Sequence, residues 1–291
     1  TTLSAAAAAV AINSNGSALA FTGNVDGSQN LQLTAGAGNI DFDGTVGATN
    51  RLGTITIVSA ANLTADNSIR AASLTQQAGT GTTTFLGNVD TNTSGVSVTS
   101  SGTVTIGTTV VVSAAGSVNF RSTTSGVILQ STAAISTTAA GDVTLEAEDQ
   151  ISLAAGTIIT VLSGDLTLRS GLADTDSTGS MLLDGTLQTS TAGRTITLDL
   201  NSQQGATQAS TGAILSSNLL LLSTGSVSAS FAFGTSTLND VNTLAASTSG
   251  AITFRDLDDL TIGSVSSTSG ITESRIASSV EACGAIHGST P

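Results

Sequence analysis

The sequence predicts an all-β chain wound as a parallel β-helix (β-solenoid) with triangular coils of about 24 residues. Three observations predict it: a short apolar period, glycines spaced by three such periods, and a shortage of large aromatic side chains. Between Val96 and Leu168 small apolar groups recur about every eight residues, at Val96/Val98, Val104/Ile106, Val110/Val112, Val118/Phe120, Val127/Leu129, Ile135, Val143/Leu145, Ile151/Leu153, Ile158/Val161 and Leu166/Leu168. Each group alternates with Ser, Thr or Asn, the period-two pattern of a short strand with one buried face. A strand of three to five residues plus a corner takes about eight residues, so three such units close one coil.

The glycines give the coil length independently. Gly102, Gly116, Gly141, Gly164 and Gly250 each precede a small or polar residue and then an alternating apolar pair, as in Gly141-Asp142-Val143-Thr144-Leu145. Gly116 to Gly141 is 25 residues and Gly141 to Gly164 is 23. Tight corners with positive φ are the expected reason, because glycine is least costly there. Phe21-Thr22-Gly23-Asn24-Val25-Asp26 also returns as Phe85-Leu86-Gly87-Asn88-Val89-Asp90, 64 residues later. The echo suggests a duplicated block of several coils, although 64 is not a clean multiple of 24.

The rhythm divides the chain into three parts. Residues 1–20 form an N-terminal segment, read as a donor strand or cap; 21–270 form the rod; 271–291 form a C-terminal tail or cap. The rod turns irregular over 172–244, where Leu219 to Leu222 make an unbroken apolar run. That region fits a bulged part of the rod, a second small β domain or a subunit contact.

Composition agrees with a solenoid. Trp, Tyr and Lys are absent, and Ser and Thr make up roughly a third of the chain. A solenoid fills its narrow interior with stacked Val, Ile, Leu, Ala and Thr, and β-branched Thr suits the outer strand faces. A disordered Ser/Thr/Gly linker conflicts with 39% hydrophobic residues in sustained alternation. The rival fold is a set of β-sandwich domains polymerised by strand exchange; it calls for larger core residues and more Pro or Asn-Gly turns, whereas the one proline is Pro291.

A formal charge of −13 with seven scattered arginines argues against nucleic-acid binding. No run of eighteen apolar residues predicts a membrane span. Cys283 is the one cysteine, so an internal disulfide is excluded, as fits a secreted or surface protein held by stacking. The stretch from Leu3 to Ile12 reads as a signal-peptide remnant or a first strand, and the missing basic n-region favours a mature start at Thr1.

Leu31-Gln32-Leu33-Thr34 running to Gly44, Leu52-Gly53-Thr54-Ile55-Thr56-Ile57, Ser73 to Gly79 and Thr84 to Val89, with the Gly-x-Val-Thr-Leu units from Gly102 to Leu168, carry a resemblance. They are similar to the strand repeats of filamentous-haemagglutinin-like adhesins and related autotransporter passengers of bacteria. The likeness spans roughly residues 20 to 270. It implies a right-handed parallel β-helix, export to the cell surface, and work in adhesion or matrix building, with no catalytic motif to carry over.

Candidate chemistry is sparse. Asp174 and Asp176, and Asp256, Asp258 and Asp259, are candidate calcium ligands, since carboxylate oxygens converge in loops; calcium is the one cofactor considered. Asp41 and Asp43 alternate with Ile40 and Phe42 and read as a solvated acidic face. Catalysis is not expected. Clustered carboxylates with Arg or Lys, or an aromatic sugar platform, would be needed for glycoside chemistry, and the arginines are scattered. Cys283, His287 and Glu281 are too few for a metal site or a nucleophilic centre. Thr-x-Thr pairs such as Thr54/Thr56, Thr103/Thr105 and Thr195/Thr197 do not repeat once per coil, as an ice-ordering face requires. Sequons at Asn15, Asn62 and Asn92 permit N-glycosylation.

The expected function is structural: a secreted or cell-surface subunit of a filament or biofilm matrix, partnered by itself. About twelve coils at about 4.8 Å give a rod of about 55 to 60 Å with open strand edges at both ends. Stacking, or exchange of the segment bearing Ala5, Ala7, Ala9, Val10 and Ile12, would satisfy those edges. The alternative is a binding module of a large adhesin that recognises a carbohydrate or a cell-surface ligand.

Overall fold

A computed structural model describes residues 3, 9–173, 178–223, 229–273, 279–282 and 286–288. Its elements are all strands, and they form a parallel β-solenoid of about 11 turns with coils of about 23 residues. Each coil contributes a segment to each of three faces, mostly as separate strands, with single strands spanning two faces at Ile69–Gln76, Ala213–Leu222 and Asp240–Thr248. The alternation seen in the sequence sets the inside: in Val143–Ala147 the burial pattern is buried, intermediate, buried, intermediate, buried.

Parallel pairing in register stacks like on like. On the first face Val96, Val118, Val143, Leu166, Ile196, Leu219 and Leu244 form one inward column. On the second face Leu63, Thr83, Val104, Val127, Ile151 and Met181 do the same. The third face stacks Val46, Ile69, Val89, Val112, Ile135, Ile159 and Leu187. These columns join in a single apolar core running the length of the rod. Burial against neighbouring coils replaces a central globular core, which is why small side chains suffice.

Coil length is not constant. The step from Ile55 to Leu74 is 19 residues, and that from Leu166 to Ile196 is 30. This variation explains the long echo, because Phe21, Phe42, Ala65 and Phe85 lie in one second-face column. Sixty-four residues are therefore three short coils, and Phe21 stacks on Phe42 with ring centroids 5.0 Å apart.

The glycine expectation is corrected in its cause. Gly102, Gly116, Gly141, Gly164 and Gly250 are not among the residues with positive φ. Their constraint is contact between coils: a Cβ on Gly141 would lie 2.5 Å from the Gly116 carbonyl carbon, and one on Gly164 would lie 2.2 Å from the Gly141 oxygen. Left-handed residues occur at another corner, where Thr109 (φ 62°), Thr132 (φ 58°) and Gly156 (φ 78°) recur after successive second-face strands.

Polar side chains tie the corners together. Asp142 Oδ1 accepts the Asp165 amide at 2.9 Å, and Asp165 Oδ1 accepts the Thr195 amide at 2.9 Å, one coil to the next. The buried hydroxyls of Ser122 and Thr248 donate to the carbonyls of Gly102 at 3.0 Å and Ala229 at 2.7 Å. Backbone groups that leave the strand pairing at a corner would otherwise be desolvated without a partner.

The irregular stretch has a local explanation. Ala213–Leu222 and Asp240–Thr248 run through the corner between the third and first faces as single long strands. Leu219 and Leu221 point into the core, while Leu220 and Leu222 point outward. The outer apolar residues pack with Ala245 under Val265, carried on an antiparallel hairpin of Ser264–Val265 and Thr268–Ser269. The four-leucine run thus fills two layers, the rod core and a patch beneath the hairpin.

Candidate functional site

The two ends of the rod differ from its middle in how their strands are paired. At the N-terminal end Val10–Asn13 pairs only with Leu31–Thr34, and Leu19–Phe21 only with Ile40–Phe42, among the described residues. Val10, Ile12, Leu19 and Phe21 pack against the core yet are only partly buried, and among the described residues no strand pairs on their other side. Val10 and Ile12, expected as an exchanged segment, pair within their own chain; Ala9 is exposed, and Ala5 and Ala7 lie outside the described residues.

The C-terminal end repeats the situation with the opposite side of the ladder. Ile271–Glu273 pairs with Asp240–Thr248, Ser279–Ala282 with Ile252–Asp256, and Ile286–Gly288 with Leu260–Ile262, each on one side among the described residues. Ile271 and Val280 are partly buried, and Ile286 is 47% exposed although its partner Leu260 is fully buried. Among the described residues, the outermost coils at both ends thus pair on one side only.

The acidic candidates separate. Asp174 and Asp176 lie outside the described residues. Asp256 points into the rod and is fully buried, whereas Asp258 and Asp259 are exposed at the corner that follows. Among the described residues no group of three or more His, Cys, Asp or Glu is arranged to hold a metal ion. Asp256 Oδ1 accepts the Val241 amide at 3.1 Å, but Oδ2 is buried without a hydrogen-bond partner. Burial pushes the Asp256 carboxyl up to about 7, against the opposing hydrogen bonds from the amides of Val241 and Asp258. Next to it Asn239 and Gln208 exchange two side-chain hydrogen bonds of 2.7 and 3.1 Å inside the coil.

Four of the arginines, Arg51, Arg70, Arg121 and Arg169, gather in two outer groups. Arg121, Glu146, Arg169 and Asp199 occupy one registered column, with Arg121 Nη1 to Glu146 at 3.1 Å, Arg169 Nη1 to Glu146 at 3.5 Å and Arg169 Nε to Asp199 at 2.9 Å. Arg51 and Arg70 flank Asp90 two coils away or less. Sequence spacing hides both groups because the partners are one or two coils apart. A shallow polar groove bordered by Gln188, Ser190, Thr191, Ser216, Asp240 and Asn242 runs along the corner between the third and first faces. Cys283 lies outside the described residues, and the exposed His287 is held beside Thr261.

The fold defines the chain as a β-helix repeat protein. Comparison with protein-family models, curated proteins and solved structures found no match. No helix of the described residues is long and apolar enough to cross a membrane.

Proposed function

We propose that this chain is a non-catalytic structural protein of the bacterial exterior, of the filamentous-haemagglutinin-like type, that associates with itself by stacking rods end to end. The observation that carries this reading is that, among the described residues, the outermost coil at each end pairs on one side only. Val10, Ile12, Leu19 and Phe21 form one open surface, and Ile271, Val280 and Ile286 form the other. In a parallel ladder the two sides of a strand differ, so the first coil of one rod complements the last coil of another. That contact is heterologous and does not close, and it propagates as a filament. Its chemistry is the one already repeated between the coils of a single rod, backbone pairing plus burial of stacked apolar residues.

Electron microscopy and sedimentation velocity of the native protein test it. Filaments are expected, with an axial repeat of about 53 Å, from about 11 turns at about 4.8 Å each. Phe21→Asp and Ile271→Asp each place a charge in the contact and should return separate rods. Separate rods of wild-type protein at every concentration refute stacking. A second reading, recognition of a carbohydrate, is favoured by the hydroxyl and amide lining of the Gln188–Asn242 groove with Asp240 at its edge. Glycan-array binding abolished by Asp240→Asn would support it, and binding unaffected by that change would refute it.

A further inference from the structure

The polar groove between the third and first faces owes its shape to one irregular corner. The third-face strand Thr186–Thr189 stops there and the first-face strand resumes at Thr195, so residues 190–194 leave the ladder, with Thr191, Ala192 and Gly193 exposed. The next two coils cross the same corner without a break, in Ala213–Leu222 and Asp240–Thr248. The bowed loop and the two straight strands border a cavity of about 370 Å³, at the small end of ligand pockets and of a size for a mono- or disaccharide.

The walls are fixed before any ligand arrives. The Ser216 hydroxyl donates to the Arg194 carbonyl at 3.1 Å, the Thr189 hydroxyl lies 2.9 Å from that of Ser216, and the Gly193 amide donates to the Ser217 hydroxyl at 2.9 Å. These bonds tie the loop to the coil beside it and lower the ordering cost of binding. Ser190, Asp240 and Asn242, by contrast, are exposed, and their side chains make no hydrogen bond among the described residues. Asp240 sets the charge: it is the one charged side chain among those lining the groove, no Arg, Lys or His lines it, and none of the ion pairs among the described residues uses it. With a chain charge of −13 around it, the groove draws cations and repels acidic sugars.

Resting on the reading that this groove recognises a carbohydrate, we propose that its ligand is an amino sugar with a free, protonated amine, held by Asp240 in preference to neutral, N-acetylated or acidic sugars. The ammonium gives the Asp240 carboxylate a charge-assisted hydrogen bond that a hydroxyl or an acetylated amine does not match. Ring hydroxyls of the same ligand pair with Ser190, Ser217 and Asn242, which offer both donors and acceptors. An exposed ion pair of this kind corresponds to about a fivefold gain in affinity, and added salt weakens it.

The test is an NMR titration of the full chain, wild type and Asp240→Asn, at about pH 6, where the sugar amine is protonated. Four probes are compared: glucosamine disaccharide, its N-acetylated form, the glucose disaccharide cellobiose, and putrescine, a diamine without hydroxyls. Far-UV circular dichroism checks that the variant keeps the rod. The expected result is that wild type binds the glucosamine disaccharide about fivefold more tightly than the other three, that salt reduces this preference, and that Asp240→Asn removes it. Equal or tighter binding of cellobiose or the N-acetylated form, still dependent on Asp240, overturns the amine preference and leaves carbohydrate recognition intact. Putrescine binding as tightly as the amino sugar overturns the sugar requirement. Binding unchanged by Asp240→Asn, or no binding of any probe, overturns the carbohydrate reading of the groove, and the amine preference falls with it.

Discussion

Replacing Gly141 by alanine separates two reasons for a glycine at a solenoid corner. A Cβ at this position meets the Gly116 carbonyl carbon at 2.5 Å, the Ser117 nitrogen at 2.7 Å and the Gly116 oxygen at 2.8 Å. All three are backbone atoms of the preceding coil, so no side chain can swing aside. Restoring ordinary contact requires the coils to part locally by several tenths of an ångström or more. That movement strains the pairing of Val118–Ser122 with Val143–Ala147, which holds five registered residue pairs. Overpacking of this kind costs about 1–3 kcal/mol, and the backbone character of the obstacle places Gly141→Ala at the upper end. Gly23→Ala is the control: a Cβ there has nothing within 4 Å and its φ is not positive, so its effect stays within about 0.5 kcal/mol. Urea unfolding followed by circular dichroism measures both, and hydrogen exchange at Val118 to Ser122 reports whether the damage is local. If Gly141→Ala unfolds at the wild-type urea concentration with unchanged exchange, close approach of coils is not what requires glycine here.

Two further perturbations address the buried polar groups. Asp256 titrates at about 7 in the fold, above the ordinary carboxylate value of 3.8, so the folded state binds the extra proton between those values. Its contribution to stability is fully present below pH 3.8 and is lost as pH rises through about 7; Asp256→Asn should therefore gain on the order of 4 kcal/mol over wild type at pH 8 and little at pH 4, read by urea unfolding at both pH values. Thr83 Oγ1 donates to Gln76 Oε1 at 2.9 Å inside the rod, while Gln76 Nε2 is buried without a partner. The double change Gln76→Met with Thr83→Val should be neutral or stabilising by about 1 kcal/mol, whereas Gln76→Met alone orphans the Thr83 hydroxyl and destabilises; thermal melts of the three variants decide it.

Most of the fold was legible because a solenoid is specified by local rules. Val143-Thr144-Leu145 reads as inward, outward, inward from the strand period alone, and repetition of that pattern forces stacking. The ends were less legible. The sequence singled out Val10 and Ile12, yet Leu19, Phe21, Ile271, Val280 and Ile286 look in sequence like any other core residue. Among the described residues they differ in having a paired strand on one side only, and the number of neighbours is not a property of the local pattern. The acidic run Asp256-Leu257-Asp258-Asp259 shows the opposite failure. Residues adjacent in sequence suggested convergence, whereas the end of a strand sends Asp256 inward and leaves Asp258 and Asp259 outside.

The sequence by itself determined the strand period, the mean coil length, the inward columns and the positions where glycine is required. These follow from side-chain alternation and size, which act over a few residues. The tertiary structure decided what depends on residues about a coil or more apart. It set the true length of each coil, the ion-pair column from Arg121 to Asp199, the hairpin over Leu220 and the close backbone contact at Gly141. Each of these is a contact between stacked coils, and variable corner lengths hide such contacts from any fixed spacing in the chain.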